Sequence, residues 1–325
     1  MDTKTSISVV VPVYKAEDCL HELYKRLVAS LEAITGDFEI ILVEDCGGDR
    51  SWDVIEELAE KDARVIGIQF SRNFGQHHAI TAGIDKCKGD WVVVMDCDLQ
   101  DQPEEIPRLY EKAQKGYHVV CARRGIRKDS FFKRISSQFF YNLFNYLADT
   151  DYDGQIANYR IVSRQVVDNF KQMGEQLRFF PVMINWLGYP TTSIDVVHAK
   201  RFAGKSAYSY YKLINLALNI IIAYSYKPLR LMIKFGFAMA LFSFAFGIFI
   251  LFKKISDGTE VLGWSSLIVS LYFIGGIIIA ILGIIGVYLG RTFEETKKRP
   301  LYIIRRFAQK EKRFDNCDVM NIKDI

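Results

Sequence analysis

From Ile7 to Ala122, short apolar runs alternate with segments whose apolar residues recur at helical spacing. Ile7 to Val13, Phe38 to Val43, Val65 to Phe70, Trp91 to Met95 and His118 to Ala122 read as strands. Helices are expected from Ala16 to Ala33, with leucines at 20, 23, 27 and 31, from Val54 to Glu60 and from His78 to Cys87. A further helix opens at Pro103 and closes at Gly116, where glycine takes the left-handed cap. Such alternation predicts an α/β domain with a mostly parallel sheet and helices on both faces. Ligands of that architecture gather beyond the carboxyl ends of the strands. Three of those ends are polar: PVYKAED at 12–18, EDCGGDRS at 44–51 and DCDLQD at 96–101. All three are expected to line one crevice.

The pattern changes after residue 230. Phe235 to Phe252 and Val261 to Gly290 carry no charge, and at about 1.5 Å per residue each is long enough for a hydrocarbon layer of roughly 30 Å, the first only just. Two membrane spans are therefore expected, about 233–253 and 263–289, joined as a hairpin by KKISDGTE. Lys227, Arg230 and Lys234 before the hairpin, with Arg291, Lys297, Lys298, Arg299, Arg305 and Arg306 after it, outweigh Lys253 and Lys254 in the linker. The positive-inside rule then places the α/β domain on the cytoplasmic side of a multi-pass inner-membrane protein. The expected organisation is a domain at 1–230, two spans within 231–290 and a basic cytoplasmic tail at 291–325, mobile after Gln309. Segments 131–147 and 208–226, aromatic and amphipathic, are expected to lie in the interface plane, ordinary core helices being the alternative. Small residues at Gly275, Gly276, Ala280, Gly283 and Gly286 leave self-association through the spans, a homo-oligomer, open.

Composition removes several classes of function. The net charge of +4 comes from basic residues mixed with acids rather than gathered in a block, which argues against nucleic acid as a partner. The six cysteines show no C-x-x-C spacing, so free thiols in a reducing compartment are expected and a structural zinc site is not. Neither a glycine-rich dinucleotide fingerprint nor a P-loop follows any strand. His77 and His78 diverge by about 100° on a helix and cannot share a face, so packing is expected of one and polar contact of the other.

The remaining chemistry sits at the end of the Trp91 strand. Asp96 and Asp98 offer carboxylate oxygens and Gln100 an amide oxygen, a set that suits Mg²⁺ or Mn²⁺ bridging the diphosphate of a nucleotide-sugar. Two solvated aspartates favouring the next helix N-terminus are the plainer alternative. VVVPVYKAED, VEDCGGDRSWDVI, SRNFGQHHAITAGI, GDWVVVMDCDLQDQPEEIP and YLGRTFEETKKRPLYIIRRF resemble the polyprenyl-phosphate glycosyltransferases, a branch of glycosyltransferase family 2, over nearly the whole chain. The resemblance implies a glycosyltransferase A-type domain that inverts the sugar while moving it from a nucleotide-sugar to a polyprenyl phosphate lipid. It implies that Pro12, Tyr14, Glu17 and Asp45 contact the nucleotide, and that Asp96, Asp98 and Gln100 hold metal and diphosphate. It places Arg123 and Arg134, with Ser137 nearby, at the acceptor phosphate, and Arg201 and Ser206 on a loop closing over the diphosphate. Arg72 is a further phosphate contact to be tested.

The chain departs from the family pattern at Asn158, where an aspartate is common, so Asp151 or Asp153 stands as the carboxylate instead. Its loop motif also ends Gly204-Lys205-Ser206-Ala207, where lysine often follows the serine. An acceptor phosphate monoester, with a second ionisation near about pH 6, needs little help to lose a proton. Transfer to a glycan hydroxyl and a non-catalytic membrane scaffold remain the rival readings.

Overall fold

The computed structural model describes residues 5–124, 142–148, 156–197, 219–257, 263–310 and 312–315. They fall into two compact units. One is built from segments within 1–137, 152–207 and 299–325, the other from segments within 138–151 and 208–298.

The first unit is organised by a sheet whose inner strands are buried on both faces. Strands β1 (Ile7–Val13), β2 (Phe38–Glu44), β3 (Val65–Phe70) and β4 (Trp91–Val94) alternate with helices α1 (Leu20–Glu32), α2 (Ser51–Lys61) and α3 (Gln76–Lys86). All seven residues of β1 are buried, which is why these strands read as unbroken apolar runs rather than alternating ones. A 3₁₀ turn at Pro103–Glu105 leads into α4 (Ile106–Ala113), followed by β5 (Val119–Arg124), β6 (Ile156–Ser163), α5 (Arg164–Gln172), α6 (Phe180–Trp186) and β7 (Thr191–Val196). After the second unit the chain returns as β8 (Ile304–Gln309) and β9 (Lys312–Asp315). The nine strands lie in the order β7-β5-β6-β4-β1-β2-β3-β8-β9.

Pairing is parallel among β4, β1, β2 and β3 and between β5 and β7, and antiparallel for β4/β6, β5/β6, β3/β8 and β8/β9. The sheet is therefore mixed, and more so than expected. The polar tail assigned to 291–325 instead supplies two antiparallel strands, and residues 312–315, expected to be mobile, pair with β8. The return is anchored by Tyr302, whose ring stacks on Phe70 at 5.2 Å and whose hydroxyl donates to Asp85 at 2.8 Å. Helix α3 approaches β1 closely enough that a side chain at Gly83 would collide with Val10.

In the second unit, α7 (Lys227–Asp257) and α8 (Trp264–Thr296) are each long and apolar enough to cross a bilayer. Their apolar side chains point outward: Phe237, Leu241, Phe242 and Phe244 on α7 and Leu271 and Ile279 on α8 are all exposed. A core helix would bury that surface. Of the two segments expected at an interface, only 142–148 and 219–226 are described, with helix at 142–148 and 219–224. Tyr288 donates to the carbonyl of Ser225 at 2.9 Å and Arg291 bonds Asn219, tying the second segment to the end of α8.

The α3–β1 contact gives a stability prediction. Gly83→Ala gains up to about 1 kcal/mol of helix propensity, but the added methyl meets Val10 in a fully buried layer, and overpacking of that kind costs about 1–3 kcal/mol. A net loss of stability is expected, read as a lower melting temperature of the detergent-solubilised protein.

Candidate active site

The register of the parallel strands brings the three polar loops together. Val13 pairs with Glu44 and Val10 with Val94, and the chain steps out from β1 to β2 and β3 before crossing back to β4 on the other side of β1. The crevice at such a reversal of strand order is where open α/β sheets take ligands. β5 and β7 run the same way as β4, and β6 runs back. The ends of β5 and β7 and the starts of β6 and β8 thus share the edge that carries these loops.

Backbone strain marks the same loops. Lys15, Cys46 and Leu99 are non-glycine residues at φ of 53°, 54° and 58°, one in each loop, and the left-handed region costs an L residue roughly 1–2 kcal/mol. Such strain persists where the surroundings over-determine it. The loops after β1 and β2 meet so tightly that a Cβ on Gly47 would lie 2.8 Å from the Lys15 backbone nitrogen.

The acidic residues then divide by role. Asp45 is 3% exposed, and its two carboxylate oxygens accept the backbone N–H groups of Phe74 at 2.6 Å and Gly75 at 2.9 Å. Burial raises its pKa, and those two amide bonds pull the other way. Glu44 Oε1 accepts the Gly47 amide at 2.5 Å, and Glu17 Oε2 accepts the Arg50 amide at 2.7 Å at the start of α2. These three side chains hold the loops in place. Asp101, 2% exposed, turns back toward the Asp96 amide at 3.5 Å.

Asp96, Asp98 and Gln100 are half-buried along the loop after β4. Between the aspartates, Cys97 packs toward the core, and its carbonyl accepts the Cys19 thiol at 3.0 Å. Asp98 Oδ1 accepts the Gln100 amide at 3.1 Å, and Asp96 Oδ1 accepts the side-chain amide of Gln76 at 2.6 Å. Among the described residues no three His, Cys, Asp or Glu side chains form a self-sufficient cation site. Two carboxylates and an amide oxygen fit a hard cation that takes its remaining ligands from phosphate oxygens and water.

Pro12 is buried at the end of β1, and Tyr14, 45% exposed, directly follows the strand. Arg72 is exposed, its guanidinium 4.0 Å from the Phe74 ring centre and bonded to the Asn73 carbonyl at 3.2 Å. Arg123 is exposed near the end of β5, opposite Ile156. Val94, the last residue of β4, pairs with Arg160, and Asn158, half-buried, lies two residues before Arg160 on β6. Arg134, Ser137, Asp151, Asp153, Arg201 and Ser206 lie outside the described residues.

Two polar residues near these loops, Gln76 and Arg160, escaped the sequence. Gln76 stood beside a histidine pair that drew attention away from it. Arg160, 1% exposed on β6 with its guanidinium 5.3 Å from the Phe180 ring, gave no signal because an arginine in an apolar run reads as a strand break.

The histidine pair is structural. His77 packs edge-on to Phe179 at 4.7 Å, and its Nδ1 is sealed from solvent without a hydrogen-bond partner. Burial, with smaller contributions from His78 and Arg160, lowers its pKa to about 4. His78 is also half-buried, and burial lowers its pKa too, so the pair does not divide into one packed and one polar member as expected.

Glycosyl transferase family 2 matches residues 8–189, a range that contains all three loops. The prophage bactoprenol glucosyl transferase homolog of Escherichia coli (strain K12) is 38% identical over 301 residues, covering 92% of this chain and 98% of that protein. The bactoprenol glucosyl transferase of Shigella phage SfV is 37% identical over 305 residues, 94% of this chain and 99% of that one. The undecaprenyl-phosphate 4-deoxy-4-formamido-L-arabinose transferase of Edwardsiella ictaluri (strain 93-146) is 36% identical over 313 residues, 93% and 94% of the two chains.

His77 predicts an acid limb in stability. Its folded pKa lies below its ordinary value, so its contribution is present above about pH 6.5 and is lost as pH falls through about 4. The gap corresponds to roughly 3 kcal/mol. His77→Leu removes that share, and its melting temperature is expected to fall less than the parent's between about pH 7 and about pH 4.

Proposed function

The chain belongs to glycosyltransferase family 2, and from that premise we propose that it moves a sugar from a nucleotide-sugar to a polyprenyl phosphate of the undecaprenyl type at a membrane surface. The protein is a glycosyltransferase with an α/β GT-A-like fold and a mixed sheet. The observation that carries the finer reading is the half-buried Asp96-Cys97-Asp98 loop at the strand-order reversal, in a chain that also holds two helices apolar enough to cross a bilayer. Relatives named for bactoprenol and undecaprenyl phosphate, matched over nine-tenths of their length, support the lipid acceptor. They are named for two different sugars, so the donor is to be read from a panel. The excess of Lys and Arg flanking the helices supports a cytoplasmic orientation.

The chemistry is a single displacement. A phosphate oxygen of the acceptor attacks the anomeric carbon from the side opposite the nucleotide, and the bond from that carbon to the diphosphate oxygen breaks. Its electron pair leaves with the diphosphate, and the configuration inverts. Tyr14 and the Asp45-braced loop shape the nucleotide end, and Asp96 and Asp98 with Gln100 would hold Mg²⁺ or Mn²⁺. When bound, that cation supplies neutralisation of the negative charge that builds on the leaving diphosphate. Arg123, near the end of β5, is assigned to the acceptor phosphate, where a planar guanidinium bonds two oxygens at once. Arg134 and Ser137 are assigned with it, and Arg201 and Ser206 to the diphosphate.

Asn158 is compatible with a phosphate acceptor. A phosphate that is already largely a dianion needs no proton removed, so a carboxylate base at that position is not required. The alternative is transfer to a glycan hydroxyl.

Purified protein incubated with undecaprenyl phosphate, Mg²⁺ or Mn²⁺ and a panel of nucleotide-sugars is expected to yield a glycosyl-phospholipid, seen by mass spectrometry and lost on adding EDTA. Asp98→Asn is expected to lower turnover by about a hundredfold or more, as befits several kcal/mol of charge stabilisation. Full activity in that variant would refute the metal-assisted route. Donor consumption only with a glycan acceptor would replace the lipid reading with hydroxyl transfer.

A further inference from the structure

We propose that Gln76, the first residue of α3, is a positioning residue for the transfer reaction, fixing the carboxylate of Asp96 for the cation and diphosphate. The inference rests on the cation reading above and extends it to a residue that touches neither substrate nor metal.

The contact is short and unambiguous in its polarity. Gln76 Nε2 lies 2.6 Å from Asp96 Oδ1, and because a carboxylate only accepts, the amide nitrogen must be the donor. A carboxylate that binds a cation works best when a second group fixes its plane, and loss of such outer partners typically costs ten- to a hundredfold in metal affinity. Glutamine suits this role better than lysine or arginine would. It donates a hydrogen bond without adding a positive charge that would compete with the cation for the same oxygens.

The donor is only as fixed as the element that carries it, and Gln76 is held from both directions. Upstream, Ser71 N–H donates to the Ile303 carbonyl at 3.0 Å beside the Phe70–Tyr302 stack. Immediately before Gln76, Phe74 and Gly75 donate to Asp45, while Asn73 Nδ2 donates to the Asp45 carbonyl at 3.1 Å. Downstream, α3 is seated on β1 at Gly83, where no side chain intervenes. The buried Asp45 thus sets the start of α3, and α3 sets Asp96, although the two aspartates lie on different strand ends. Without this relay Asp45 and Gln76 have no common purpose; with it, one follows from the other.

The test is Mn²⁺ titration of the full-length protein in detergent, with UDP or GDP present, followed by calorimetry and by the electron paramagnetic resonance of free Mn²⁺. Gln76→Met keeps the size and helix propensity of the side chain and removes the donor. Mn²⁺ affinity is expected to fall about ten- to a hundredfold, with the melting temperature unmoved and the KM for undecaprenyl phosphate retained. Gln76→Ala serves if the methionine variant does not fold. Equal Mn²⁺ affinity in parent and variant overturns the inference, as does a loss of stability with affinity unchanged. If the parent itself shows no saturable Mn²⁺ binding with either nucleotide, the cation reading fails first and this inference falls with it.

Discussion

The burial of β1 on both faces is the constraint on which the rest of the first unit depends. A strand with no solvent face must be flanked in register on both sides and covered by helices above and below, and β1 meets this with β2 and β4 as parallel neighbours and α3 pressed against Val10. Parallel neighbours end together, so the loops leaving them must turn away within a few residues of one another. Lys15, Cys46 and Leu99 take left-handed backbone conformations at those turns, and the crowding at Gly47 shows how little room is left. The crevice is thus a by-product of core packing, and its loops are held by the sheet rather than by their own propensities.

Acidic side chains are dense around that crevice, and the fold sorts them by what they can reach. Glu17 and Asp45 find backbone amides of neighbouring loops and Glu44 one of its own loop; both oxygens of Asp45 are satisfied in this way, as a carboxylate that leaves water requires. Asp96 and Asp98 flank a residue that turns inward, so their side chains stay at the half-buried surface. Cys97 suits the place between them, because a small apolar thiol accepts burial that a longer polar side chain would not. The difference in their hydrogen bonding was not visible in the sequence, where Asp45 and Asp96 look alike. It depends on whether two N–H groups from a distant loop happen to point at the oxygen.

Legibility in the sequence followed locality. The bounds of β1 and β3 were readable because unbroken apolar runs flanked by polar residues leave little choice. The loop after β4 was readable because carboxylates directly after a buried strand demand an explanation. β6, β7 and β8 were missed for the opposite reason. β6 carries Asn158 and Arg160, β7 is mostly polar and only partly buried, and β8 begins Ile304-Arg305-Arg306, so none shows the apolar signature of the centre. Strands toward the margin of a sheet pair through their backbone and tolerate polar side chains, and pairings made across long excursions leave no trace in a local window. Gln76 belongs to the same class, since its role exists only through an oxygen twenty residues away.

The connection between β7 and β8 limits what the two long helices can do. Both strands belong to one sheet, and everything from the end of β7 to the start of β8, including α7 and α8, is an insertion between them. A chain that leaves a sheet and returns to it must cross any bilayer an even number of times. Two crossings meet that condition and one does not, so the pairing of β8 with β3 is compatible with a hairpin. The return is also physically required, because β8 covers the edge of β3, and Phe70 has Tyr302 stacked against it. Without that cover an open ladder and a large aromatic would face water beside the loop that Asp45 braces. The segment after the helices thus closes the edge of β3 next to the loop that Asp45 braces.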